Sequence, residues 1–225
     1  MSSNVTVFAG REGWLPVASV KKSDELLTRT LNIFVALIAL FLLAPLMLLV
    51  SCAIYISDPG PILFGHRRLG RGGETFRCWK FRSMVVDAEA RLADLLASDP
   101  QAKAEWLCDR KLRNDPRISG IGHFLRKSSL DELPQLFNVL AGQMSLVGPR
   151  PIVEDEIPLY GRYFEDYCSV LPGITGLWQV SGRNNVSYRR RVALDVFYAR
   201  SRNFWLDCRL LAVTVPAVLL AKGSY

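Results

Sequence analysis

The 225-residue chain is poor in the residues on which many catalytic and metal sites are built. It has two histidines, His66 and His123, too few for a histidine-based metal cluster, and their scarcity argues against a Ser-His-Asp triad. Its five cysteines, at positions 52, 78, 108, 168 and 208, are odd in number, widely spaced and never arranged as C-x-x-C. That excludes a disulfide framework and a structural zinc site as working assumptions, and points to free thiols in a reducing compartment. A Walker A loop is absent, and the glycine-rich "LGRGGETF" reads as a turn between extended segments rather than a dinucleotide fingerprint. Acidic residues are the minority charge, 21 against 28 basic, for a net charge of +7. The basic residues are scattered and carry no zinc-finger or RNA-binding signature, so the excess suits an anionic membrane surface or a phosphate-bearing ligand better than nucleic acid.

Hydrophobic residues, by contrast, make up 50% of the chain, and one run dominates. "LNIFVALIALFLLAPLMLLVSCAIYI", Leu31 to Ile56, holds no charge over 26 residues. As a straight helix it would measure roughly 39 Å, more than the ~30 Å hydrocarbon core of a bilayer. A cleaved signal peptide fits poorly, because the run is long and is preceded by thirty residues that include acidic groups. Two forms remain: one spanning helix, or a re-entrant hairpin bent near Pro45 that enters and leaves on one face. Lys21, Lys22 and Arg29 before the run balance Arg67, Arg68 and Arg71 after it, so the positive-inside rule assigns no crossing.

Beyond the Pro/Gly break "SDPGP", "ILFGHRRLGRGGETFRCWKFRSM" reads as two short extended stretches around a Gly-Arg-Gly-Gly turn. A charged helical stretch follows from Val86 to about Leu112, then a turn in "RNDPRIS" and a short helix from Pro134 to Leu140. "VLPGITGLWQVSGRNN" is loop-rich, and the tail from Val186 to Leu220 is helical with breaks at Asn203 and Pro216. Its uncharged part, Leu210 to Ala221, is too short to span a bilayer. The first 25 residues read as a loosely ordered extension.

"SSLDELPQLFNVLAGQMSLVGPRP", residues 128 to 151, sets two carboxylates side by side among cations. Ser129 and Glu132 fit a capping box, which would make the acidic pair a helix start and nothing more. Pro134 strains that register. If the helix begins at Pro134, Asp131 and Glu132 stand just before it, free to face a ligand, with Arg126, Lys127 and Arg150 around them as a phosphate site requires. A carboxylate can attack phosphorus and form an acyl phosphate, and Mg²⁺ suits oxygen ligands from carboxylates and phosphates.

The segments "PGPILF", "RLGRGGETFRCWKFRSM", "KLRNDPRIS", "LRKSSLDELPQLFNVLAGQMSLVGPRP", "PGITGLWQVSGR" and "ALDVFYARSRNFWLD" together resemble the bacterial sugar transferases, the monotopic phosphoglycosyl transferases, from about Thr30 to the C-terminus. The resemblance implies a mostly helical α+β protein. An N-terminal extension (1–29) would precede a re-entrant membrane helix (30–57) and a small cytoplasmic catalytic domain (58–225) with a short β-hairpin and interfacial amphipathic helices. It implies a Mg²⁺-dependent enzyme on the cytoplasmic face of the bacterial inner membrane. That enzyme would move a sugar 1-phosphate from a UDP-sugar to undecaprenyl phosphate and release UMP, with Asp131 as nucleophile and Glu132 beside it at the metal. Arg126 and Arg150 are implied to bind phosphate and nucleotide, with Lys80 and Arg82 near the site. Membrane lipids, downstream glycosyltransferases and a second copy of the chain are the further candidate partners.

Ala44-Pro45 stands where the family often has Ser-Pro, and His66 where Gln is expected, so His66 is given no contact. The chain lacks the extra spanning helices of larger members and so resembles a minimal catalytic unit. "KLRNDPRIS" resembles the larger hexose-1-phosphate enzymes, leaning towards UDP-glucose or UDP-galactose and an exopolysaccharide or capsule pathway. A non-catalytic anchor that recruits glycosyltransferases is the alternative. Trp178, Phe197, Tyr198, Phe204 and Trp205 read as core or interfacial belt. Arg67, Arg68 and Arg71 read as a rim for lipid head groups, and Arg189 to Arg191 as a solvated helix face. Asp195 and Arg183 are assigned no role.

Overall fold

A computed structural model describes residues 22–109, 112, 115–181 and 186–219. Most of the expected N-terminal extension, Arg183 and the last six residues lie outside the described residues. The chain begins with α1 (Lys22–Ser57), a helix of 36 residues, about 54 Å long at the α-helical rise. By length and composition α1 can cross a membrane. It is continuous through Pro45, whose ring removes one backbone donor from an otherwise intact ladder.

The inner side of α1 is joined to the globular body on both sides of that proline. Before it, Arg29 donates to the carbonyls of Val139 (2.6 Å) and Leu140 (2.8 Å). The buried Asn32 donates to Ser145 Oγ (2.9 Å) and accepts from the Leu146 amide (3.2 Å). Ala36 then enters a core with Leu136, Val139, Met144, Leu146 and Tyr198. After it, Val50 and Ile54 pack with Phe81 and Leu125. Full burial of such a side chain contributes about 1.5–3 kcal/mol. Phe34, Leu37, Phe41, Leu42, Leu48 and Leu49 remain exposed.

Strands β1 (Leu63–Leu69) and β2 (Thr75–Phe81) form the expected antiparallel hairpin, with Leu69 opposite Thr75 and Leu63 opposite Phe81. Its turn requires glycine twice, because Gly72 and Gly73 have φ of 71° and 75°. The helical stretch expected from Val86 to Leu112 is two helices, α2 (Ala88–Ser98) and α3 (Pro100–Asp109). Pro100 disfavours a helical residue before it, so Asp99 is extended and its carboxylate accepts from the amides of Gln101 (2.8 Å) and Ala102 (3.1 Å).

Next come α4 (Gly120–Ser128), capped by Ser119, a single 3₁₀ turn over Leu130–Glu132, and α5 (Gln135–Leu140). A second strand pair was not expected: β3 (Ser145–Val147) runs parallel to β4 (Gly173–Thr175). A side chain on Gly173 would collide with the Gly148 backbone, which explains a glycine in "PGIT". Between the two strands lie α6 (Ile157–Tyr160) and α7 (Phe164–Cys168), and after them α8 (Leu177–Val180). The chain continues through α9 (Tyr188–Ser201) and α10 (Phe204–Leu219). Asn203 separates the last two as expected, its side chain accepting from the Leu206 amide (2.9 Å). The expected break at Pro216 is absent, since the α10 backbone runs on to Leu219; a proline costs a helix chiefly its own hydrogen bond and a local bend.

Candidate active site

The acidic pair is placed by a backbone reversal. Ser129, with φ of 58°, is the one non-glycine residue of positive φ among the described residues; it ends α4 and starts the 3₁₀ turn. Its side chain makes no capping bond, so the capping box does not form. Asp131 and Glu132 stand ahead of Pro134 and α5.

Lys80 reaches across from β2. Its Nζ lies 2.6 Å from Glu132 Oε1 and 3.6 Å from Asp131 Oδ2. Glu132 therefore takes the direct ion pair, and Asp131 is held near the cation without a close bond. Asn138 of α5, completely buried, fixes the strand that carries the lysine. Its Nδ2 donates to the Arg77 carbonyl (2.7 Å) and its Oδ1 accepts from the Trp79 amide (2.9 Å), one residue before Lys80.

The two carboxyls differ electrostatically. Burial pushes Asp131 above the usual carboxylate range, with Glu132 adding to the rise and Lys80 and Arg126 opposing it. Burial also raises Glu132, but Lys80, Arg150 and Arg68 together outweigh it and leave this carboxyl below its ordinary value. The pair is thus split into a basic carboxylate and a firmly ionised one. A desolvated carboxylate facing cations is suited to attack on phosphorus.

A shallow, partly open cleft lies beside them, bordered by the charged residues Arg68, Lys80, Glu132 and Arg150 and by Cys78, Gln135 and Gln179. Arg126 comes from α4. Its Nε donates to Ser83 Oγ (2.9 Å), and its two terminal nitrogens have no hydrogen bond among the described residues. That leaves a planar fork of donors of the kind that grips phosphate. Burial lowers its pKa from the guanidinium norm, while Asp131 and then Asp115 counter the fall.

The bacterial sugar transferase family model matches residues 23–221. The chain belongs to the bacterial sugar transferase family. It is 47% identical over 210 residues to the exopolysaccharide production protein ExoY of Sinorhizobium fredii, covering 93% of this chain and 90% of that protein. It is 50% identical over 205 residues to the undecaprenyl-phosphate galactose phosphotransferase of Salmonella typhimurium, covering 91% of this chain and 43% of that protein. It is 34% identical over 210 residues to the UDP-glucose:undecaprenyl-phosphate glucose-1-phosphate transferase of Escherichia coli, covering 90% of this chain and 42% of that protein. The chain thus spans most of ExoY and less than half of the other two.

Of the residues singled out in this sugar transferase sequence, Asp131, Glu132 and Lys80 are brought into contact, and Arg150 shares their cleft. Arg126 stands on the α4 side, held by Ser83. Arg82 is directed elsewhere: its Nη2 bonds the Asp58 carbonyl and lies 3.6 Å from the Asp58 carboxylate, at the exit of α1. Among the described residues His66 bonds the neighbouring Arg67 carbonyl alone (2.9 Å). Asp195 is buried against the Tyr160 hydroxyl (2.7 Å) and does not border the cleft.

Arg68 departs from the lipid-rim reading, since it borders the cleft and reaches the Pro151 carbonyl (3.3 Å). The hairpin register could have revealed it, because Arg68 faces Phe76 as Phe64 faces Lys80, on one face of the ribbon. Arg191 likewise leaves the solvated face and lies over the Trp178 ring, 4.5 Å from its centre. Gln135, Gln179, Ser83 and Asn138 carry no signal in the sequence.

Proposed function

We propose that the protein transfers a hexose 1-phosphate from a UDP-sugar to undecaprenyl phosphate and releases UMP, by way of an acyl phosphate that joins the sugar phosphate to Asp131. The observation that carries this reading is the Lys80-bridged pair of unlike carboxylates beside a cleft lined with Arg68 and Arg150. The names of the galactose and glucose transferases among its relatives support the donor and the lipid acceptor.

In the first half, an Asp131 carboxylate oxygen bonds to the sugar-bearing phosphorus and the bond to UMP breaks, with UMP keeping the electron pair. In the second half, an oxygen of undecaprenyl phosphate bonds to the same phosphorus and Asp131 is released unchanged. No net proton is consumed. Arg68, Arg150 and Lys80 offset the anionic charge that would otherwise repel the nucleophile. Asp131 and Glu132 offer oxygen donors, the kind Mg²⁺ takes from one or two carboxylates together with substrate phosphates, so these two would be its protein ligands. Bound there, Mg²⁺ would neutralise charge on the phosphate oxygens.

The body joins α1 on both sides of Pro45, which supports a re-entrant α1; we place the catalytic part at the cytoplasmic face of the inner membrane. The test is UMP release with Mg²⁺, undecaprenyl phosphate and a panel of UDP-sugars, together with trapping of label from the sugar-bearing phosphate on protein without acceptor. The wild type should release UMP and retain label, and Asp131→Asn should do neither. Turnover that survives in Asp131→Asn would overturn the covalent route. A wild type inert towards every sugar would put the anchor reading first.

A further inference from the structure

Two amides in the cleft have hydrogen-bonding capacity that the protein does not use. Gln135 is only 3% exposed, borders the cleft, and makes no side-chain hydrogen bond among the described residues. Gln179 borders the same cleft from α8; its Oε1 is buried without a partner, and its Nε2 reaches only the Ile174 carbonyl at 3.2 Å. Buried polar groups are partnered in about nine cases of ten, and an unmet one costs about 1–3 kcal/mol. Gln179 Oε1 is such a group, and with the unengaged Gln135 amide on the same cleft it points to a ligand that completes both.

From this we infer that Gln135 and Gln179 form the subsite that reads the hydroxyl groups of the transferred sugar, an inference that rests on the transfer reaction proposed above. The walls of the cleft divide by chemistry. Arg68, Lys80 and Arg150 suit phosphate, whereas a neutral amide, with an acceptor oxygen and two donor hydrogens, matches a hydroxyl that both donates and accepts. Position favours the sugar over the base. Gln135, the first residue of α5, borders the same cleft as Glu132, the neighbour of Asp131, and so is placed on the side of the phosphorus that Asp131 would attack. That phosphorus carries the sugar; the pyrimidine is separated from it by the leaving phosphate and the ribose.

A role in packing alone makes the opposite stability forecast. If the amides only filled space, Gln→Met should lower stability and alter turnover of all sugars equally. If they await hydroxyls, replacing an unpartnered amide by an apolar chain of similar length removes a desolvation cost.

The test uses full-length Gln135→Met and Gln179→Met in lipid. It measures kcat/KM for the preferred UDP-hexose and its epimers, inhibition by UMP, and melting temperature. We expect the preference between epimers to fall at least about tenfold in each variant, as loss of a specific hydroxyl contact entails. UMP inhibition should stay within about twofold and melting should be unchanged or higher. Unchanged epimer preference in both variants would overturn the inference, as would weakened UMP binding with preference intact, which would make the amides readers of the nucleotide. Lower melting with an equal loss for every sugar would reduce them to packing. A wild type that turns over no UDP-sugar would overturn the transfer reaction itself.

Discussion

Lys80 is the residue through which the two carboxylates act differently. It gives Glu132 a close ion pair and leaves Asp131 at 3.6 Å. Asp131 already sits above the usual carboxylate range through burial, and Lys80 is the strongest influence opposing that rise. As the proposed nucleophile, Asp131 must be ionised to attack, so activity should fall as pH drops through its pKa. Lys80→Met removes the main opposing charge and leaves Glu132 adjacent, so the acid limb of the pH–rate curve should move to higher pH, with a lower plateau. Initial rates of UMP release from mildly acidic to neutral pH check this. Coincident acid limbs in the two proteins would show that Lys80 does not tune the nucleophile. Asp131 and Glu132 were legible in the sequence because the motif is contiguous. The family resemblance implies Arg82 near the site as well, but this residue lies just past the end of β2 and turns to Asp58.

Among the elements, α5 does more than follow the catalytic turn. A two-stranded hairpin is marginal on its own, and β2 is held at Arg77 and Trp79 by Asn138. The same helix end is met by Arg29 of α1, whose cation satisfies the carbonyls of Val139 and Leu140. If Asn138 acts by aiming Lys80, Asn138→Ala and Lys80→Met should lower kcat non-additively, the double variant being scarcely worse than Lys80→Met. Asn138→Ala alone should lower stability by about 1–3 kcal/mol, since it leaves the part-buried Trp79 amide and Arg77 carbonyl without their partner. Denaturant melts and a kinetic double-mutant cycle measure both; additive effects on kcat would make Asn138 a purely structural residue. The hairpin was readable from its turn glycines and alternating strands. The β3–β4 pair was not, because three-residue strands buried on both faces have no alternation to display. The α2–α3 break stands in the sequence as "SDP", where a charged run reads easily as one helix. Gln135 and Gln179 meet only because α5 and α8 are brought to one cleft, a placement that no local pattern encodes.

For the whole molecule, the decisive relation is between α1 and the body. Glu25 near the start of α1 pairs with Arg71 in the hairpin turn (2.6 Å), and Thr28 donates to Asp207 (3.2 Å). At the other end Asp58 meets Arg82, and Val50 and Ile54 pack on Phe81 and Leu125. A helix that crossed a bilayer from end to end would carry its two ends to opposite aqueous phases, and a single charged body could not attend both without entering the hydrocarbon. The outward residues Phe34, Phe41, Leu42, Leu48 and Leu49 form an exposed apolar face suited to lipid. Both demands are met if α1 dips into one leaflet and returns. Single cysteines at Ser23 and Glu74, in a background with the native cysteines replaced, report on the two flanks. In bacterial cells stripped of their outer envelope, a membrane-impermeant maleimide should label neither position until the inner membrane is permeabilised, and then both. Labelling of one position alone before permeabilisation would establish a spanning α1, and the contacts that tie both its ends to one body would then have to come apart in the membrane.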